Sequence, residues 1–97
     1  MDDINSIKNS IKNLKPDLEN LYGIKKIAIF GSYSKNEQTE DSDIDLVILD
    51  IERKNGFLIA KAKSFLSEKL HKEVDLGLYD SLHPFIKKRV DKEMIYV

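Results

Sequence analysis

No cysteine and no tryptophan occur in the 97 residues, proline occurs twice and glycine four times. Without a thiol the chain has no disulfide framework, no thiolate zinc site and no cysteine nucleophile. Neither sign of charge dominates: 16 Lys and Arg stand against 17 Asp and Glu, for a net charge of −1. That balance excludes the global basic field that holds nucleic acid or an anionic membrane by electrostatics alone, so no direct nucleic-acid binding is expected. No apolar run approaches the roughly 20 residues of a membrane span, so no membrane partner is expected either. The opening Met1-Asp2-Asp3-Ile4-Asn5 is acidic and polar, unlike a secretory or transit peptide. These absences point to a soluble, cytoplasmic chain, and the length to one domain over residues 1–97. A chain this short buries only about 60–65% of its unfolded surface, so most of its apolar residues are needed for the core.

What is present reads as alternating elements. Ile4, Ile7, Ile11, Leu14, Leu18 and Leu21 recur at spacings of three and four, the stripe of an amphipathic helix. Asp2 and Asp3 suit its start, Gly23 its end, and Pro16 inside it predicts a kink or a restart. Residues 24–30 form a short run rich in β-branched residues, a first strand. A polar, turn-forming stretch over 31–42 leads to a second strand, Ile44 to Leu49, apolar on both faces beyond Asp45 as a central strand would be. A connection over 51–56 closes at Gly56, and Leu58, Ala62, Phe65, Leu66 and Leu70 mark a helix. Residues 74–79 read as a third strand. Ser81 is then the expected N-cap, with Pro84 in the first turn, of a last helix lined by Phe85, Ile86 and Val90. Met94 to Val97 is a short strand or a docking tail. The layout is an α/β (α+β) fold with a small mixed sheet of three to four strands flanked by helices.

That topology gathers carboxylates. Strands two and three, joined through a helix, are expected to be parallel. Asp43 and Asp45 open the second strand and share a face; Asp75 opens the third. If strands one and two pair antiparallel, the Gly31-Ser32 turn ends beside them. Three acids at one place repel unless a cation joins them. Oxygen donors without Cys or a His cluster suit Mg²⁺ or Mn²⁺, and magnesium takes substrate phosphate as a further partner. Gly31 lets backbone approach a phosphate, while Ser32 offers a hydroxyl and opens a short helix whose N–H groups would face the anion. The joint reading is a metal–nucleotide site for in-line displacement at phosphorus, with two metals about 4 Å apart.

Gly31-Ser32, followed after residues 33–42 by Asp43-x-Asp45, resembles the signature of the DNA polymerase β nucleotidyltransferase superfamily. The stretch Phe30-Gly31-Ser32-Tyr33-Ser34, with Asp41-Ser42-Asp43-Ile44-Asp45-Leu46, looks like its minimal nucleotidyltransferase (MNT) branch, and Val74-Asp75-Leu76 matches the place of that branch's third carboxylate. The resemblance implies a polymerase β-like palm fold. It implies that Asp43 and Asp45 bind two Mg²⁺ ions, that Asp75 joins the catalytic ion and helps deprotonate the acceptor, and that Gly31 and Ser32 hold ATP. It further implies a partner: many MNT proteins are antitoxins that transfer AMP from ATP to a tyrosine of a HEPN-type ribonuclease toxin. The chain has no room for an acceptor-holding helical domain, so its acceptor is expected on another molecule. Where the branch shows Ala-Arg-Gly, this chain has Ser34-Lys35-Asn36. Lys35 keeps a cation for phosphate without arginine's fork, and Asn36 can take the left-handed conformation of the missing glycine. A competing reading is a non-catalytic nucleotide-binding module that inhibits its partner by occlusion. A third is a transferase acting on a small molecule in a homodimer cleft.

The other polar residues have ordinary readings. Tyr33 fits a partly buried anchor, and His71 and His83, without partners at ligand spacing, are structural or exposed. Glu37, Glu40, Asp41 and Asp50 are solvated charges. The run Lys87-Lys88-Arg89 reads as a solvated helix face.

Overall fold

The computed structural model describes residues 3–97. Helix α1 (Ile4–Tyr22) leads into β1 (Ile24–Phe30), then β2 (Ile44–Ile51), α2 (Gly56–Leu70) and β3 (Val74–Leu78). A 3₁₀ turn (Tyr79–Ser81), α3 (Pro84–Glu93) and β4 (Ile95–Tyr96) complete the order. Among the described residues no helix is long and apolar enough to cross a membrane.

Asp3 caps α1, its carboxylate accepting from the Ser6 amide at 2.8 Å; Asp2, the other expected cap, lies outside the described residues. Gly23 ends the helix in the left-handed conformation at φ 70°. The expected restart at Pro16 does not occur: α1 is one continuous helix with Pro16 inside it. Pro16 and Lys12, whose carbonyl the proline leaves without its helical donor, are both exposed, so solvent can satisfy that acceptor. The apolar stripe also departs at its end. Leu21 is 58% exposed, and Tyr22 packs instead, its ring 5.5 Å from that of Phe65 in α2. At about 100° per residue, Tyr22 lies about 20° from Ile11 around the helix and Leu21 about 80°.

Asn55 accepts from the amides of Phe57 and Leu58, so α2 starts at Gly56, the residue expected to close the connection before it. His71 closes that helix in the left-handed conformation. The cap of α3 is His83, whose Nδ1 accepts from the Phe85 amide at 3.2 Å, and the expected Ser81 sits in the preceding 3₁₀ turn. Pro84 explains the shift: proline occupies the first helical position and holds the residue before it in extended backbone. Phe85 is 72% exposed and Ile86 37%, so of the expected face only Val90 is buried.

The sheet order is β3-β2-β1-β4, with β1 antiparallel to β2 and β4, and β2 parallel to β3. Of residues 94–97, Ile95 and Tyr96 form the edge strand β4 beside β1. Side chains alternate across the sheet. Ile27, Ile29, Ile44, Leu46, Ile48 and Val74 meet Ile7, Ile11 and Leu18 of α1 and Ala62, Leu66 and Leu70 of α2. The opposite face is covered more sparsely: Ala28 and Val47 pack against Val90 of α3, with Phe30, Leu49 and Leu82 around them. Asp45 shares parity with Val47 on β2, so it faces the sparsely covered side.

Candidate active site

At the end of β1 the chain turns through Gly31 at φ 76°, a conformation that favours glycine. A second constraint acts there, because a Cβ on Gly31 would collide with a carboxylate oxygen of Asp45. Residues 31–36 then wind as successive tight turns. The amides of Ser34 and Lys35 donate to the Gly31 carbonyl at 3.1 and 3.3 Å, and Glu37 donates to the Ser32 carbonyl at 2.9 Å. The Ser34 hydroxyl donates to the Gly31 carbonyl at 2.7 Å. These turns replace the expected short helix: the amides of residues 34–37 bond within the loop. Asn36 adopts φ 57°, the left-handed conformation expected of it. Tyr33 is fully buried in the core beneath α1 and α2 and pins the loop.

Strand register lines up the acids. Phe30 pairs with Asp45 across the antiparallel ladder, and Asp45 pairs with Asp75 across the parallel one. Along one end of the sheet the order is therefore Asp75, Asp45, then the Gly31 turn. Asp43 precedes β2 by one residue and is exposed, as is Asp75, whereas Asp45 is half-buried. Burial, then the charges of Asp75 and Asp43, then a hydrogen bond with Asp75 push the Asp45 carboxyl up to about 6. Among the described residues no group of three His, Cys, Asp or Glu side chains stands ready to hold a metal ion. What the fold brings together is a close Asp45–Asp75 pair with Asp43 alongside. Its donors are oxygens alone and its excess charge is negative, the chemistry a hard divalent cation would relieve.

Ser32 is half-buried in the turn beside this row. Lys35 is turned toward α3, its Nζ 3.6 Å from Oε1 of Glu93. Arg89 Nε approaches the same oxygen at 4.0 Å. Gly31, Asp45, Ile86, Arg89 and Glu93 line one cavity of about 140 Å³, and Asp75, Phe30, Val47 and Gly77 border another of about 230 Å³. Sequence reasoning missed Arg89 and Glu93. Their spacing marks a helix-face ion pair, but only the packing of α3 beside β1 turns that face toward the glycine turn. His71 and His83 serve as helix caps, and both are exposed.

A glycine turn set against paired carboxylates at one end of a small mixed sheet is the layout of a nucleotidyltransferase palm. A family defined by the nucleotidyltransferase domain matches residues 11–97. A Methanocaldococcus jannaschii protein called "Putative protein adenylyltransferase MJ0126" is 39% identical over 98 residues, covering 100% of both chains. Protein adenylyltransferase MntA of Thermococcus cleftensis is 33% identical over 95 residues, 97% of this chain and 95% of its own. Among solved structures, one described as "the toxin-antitoxin with AMP-PNP" aligns over 92% of this chain and 70% of that chain. Its TM-score is 0.76 at 27% identity. The chain belongs to the nucleotidyltransferase domain family, in its minimal branch, and is a nucleotidyltransferase.

Proposed function

We propose that this protein acts as a single unit over residues 1–97 that transfers AMP from ATP to a tyrosine hydroxyl of a HEPN-type toxin, and so serves as the antitoxin of the pair. The observation that carries the reading is the register of Asp45 against Asp75, which sets a carboxylate pair directly against the Gly31 turn at one end of the sheet. The names of the similar proteins support the protein-directed chemistry, and the solved toxin-antitoxin structure containing AMP-PNP supports the nucleotide and the kind of partner.

In this reading Asp43, Asp45 and Asp75 would hold two Mg²⁺ ions, which when bound neutralise phosphate charge and lower the acceptor's pKa. Gly31 and Ser32 seat the phosphates, and Lys35 supplies a cation. The acceptor oxygen forms a bond to the α-phosphorus as the bond to the bridging oxygen of the β-phosphate breaks, and pyrophosphate leaves. Asp75, exposed at the outer side of the row, takes the hydroxyl proton. Asp45 is oriented by Gly31 beneath it and by Asp75 beside it.

The test is to incubate the protein encoded beside this one with the chain, ATP and Mg²⁺, and to record the neighbour's intact mass. A gain of adenylate units with the wild type, absent with Asp45→Asn, is the expected result; mapping the modified residue then identifies the acceptor. No gain while the two proteins still form a tight complex would overturn transfer in favour of inhibition by occlusion. One observation favours that second reading: Lys35 stands where the branch has arginine and is engaged by Glu93.

A further inference from the structure

Across the sheet end the sequence of groups is Asp75 on β3, Asp45 on β2, the Gly31 turn after β1, and then α3. An in-line displacement places the entering oxygen and the leaving group on opposite sides of phosphorus. With the acceptor at the Asp75 side, the leaving pyrophosphate falls to the β1 side, against the cavity of about 140 Å³ that Gly31 and Asp45 share with α3. Arg89 lines that cavity, and Lys35 reaches Glu93 on its wall. Lys35 comes from the turn and Arg89 from α3, and both meet the same Glu93 oxygen, at 3.6 and 4.0 Å.

We propose that Arg89 and Lys35 form a two-cation clamp for the β- and γ-phosphates, with Glu93 holding the pair together while no nucleotide is bound. The inference rests on the nucleotide reading above and extends it to residues outside the family signature. Glu93 has a side chain only 17% exposed and lines the same cavity as Asp45. A lone carboxylate there would repel a triphosphate; paired with two cations, it stores them. Arg89 is 65% exposed at its side chain, so it is free to turn, and its planar fork matches phosphate oxygens better than a single carboxylate oxygen at 4.0 Å. A triphosphate carries more charge than Glu93 and so draws both cations onto itself. The clamp also supplies the fork that Lys35 lacks within the turn.

Calorimetric titration with Mg²⁺ and a non-hydrolysable ATP analogue, and separately with AMP, tests this in the wild type, Arg89→Gln and Glu93→Gln. Arg89→Gln is expected to weaken the analogue about tenfold, the loss of one charge-assisted contact, while AMP changes less than about twofold. Glu93→Gln, which removes the competing anion, is expected to tighten the analogue. Wild-type binding that Arg89→Gln leaves unchanged, or analogue and AMP weakened equally, would overturn the clamp while leaving the nucleotide site standing. Failure of the wild type to bind the analogue at all would overturn the nucleotide reading and the clamp together.

Discussion

Asp45 carries the most informative single environment in the molecule. Its carboxyl is raised to about 6 by burial and by Asp75 and Asp43, while an unfolded aspartate titrates near 3.9. The folded state therefore holds a proton that the unfolded state has released between those values. Asp45 favours folding fully below about pH 4 and loses that contribution as pH rises through 6. In chelator, melting of Asp45→Asn compared with wild type is expected to show a gap that opens between pH 4 and 7 in favour of the variant. A gap independent of pH would refute the shift. Gly31 is bound by two constraints at once, a left-handed φ and the Asp45 oxygen where a Cβ would go. Gly31→Ala is expected to displace Asp45 and reduce transfer roughly 100-fold or more, the scale of an ångström-level misplacement. A steady-state assay on the variant checks it. Both constraints were partly legible. The glycine and the acids announce themselves by spacing, whereas the contact between them is created by strand register.

Elements were legible where period and capping agree. Asp3, Gly23 and the β-branched run over 24–30 all act as their chemistry dictates. Departures occurred where two local rules competed. Pro16 breaks helices in isolation, yet α1 stays continuous because Ile11 and Leu18 on either side are buried against the sheet. Pro16→Ala is expected to raise stability by about 1–3 kcal/mol, measured by denaturant unfolding, part of the gain being offset by a more flexible unfolded chain. An unchanged midpoint would mean that α1 incurs no penalty at that position. At α3, serine's capping preference loses to the backbone restriction proline places on its predecessor, so His83 caps instead of Ser81.

At the scale of the whole molecule, one face of the sheet is closed by α1 and α2, while α3 covers only part of the other. The carboxylate row faces the partly open side. If nucleotide and metal bind there, they bind the folded state alone, and saturation at a hundred times Kd adds about 2.7 kcal/mol. Thermal unfolding with Mg²⁺ and a non-hydrolysable ATP analogue is expected to show that gain, lost on chelation and absent in Asp43→Asn. Equal stabilisation with and without Mg²⁺ would argue against metal-assisted binding.

The sequence by itself determined the order of elements, the α/β class and the membership in a family of nucleotidyltransferases. All three rest on local periodicity and on residues at short fixed separations. It also showed that Asn36 could take the left-handed conformation, which the fold then adopts at φ 57°. Only the tertiary structure decided how the acids stand: Asp45 and Asp75 lie thirty residues apart and meet because β2 and β3 pair in that register and no other. Only it turned Lys35 toward Glu93 and brought Arg89 to the same oxygen. A single chain pattern carries no record of contacts between α3 and the loop after β1. Such contacts depend on sheet order and helix placement, which arise from the summed burial of two apolar faces.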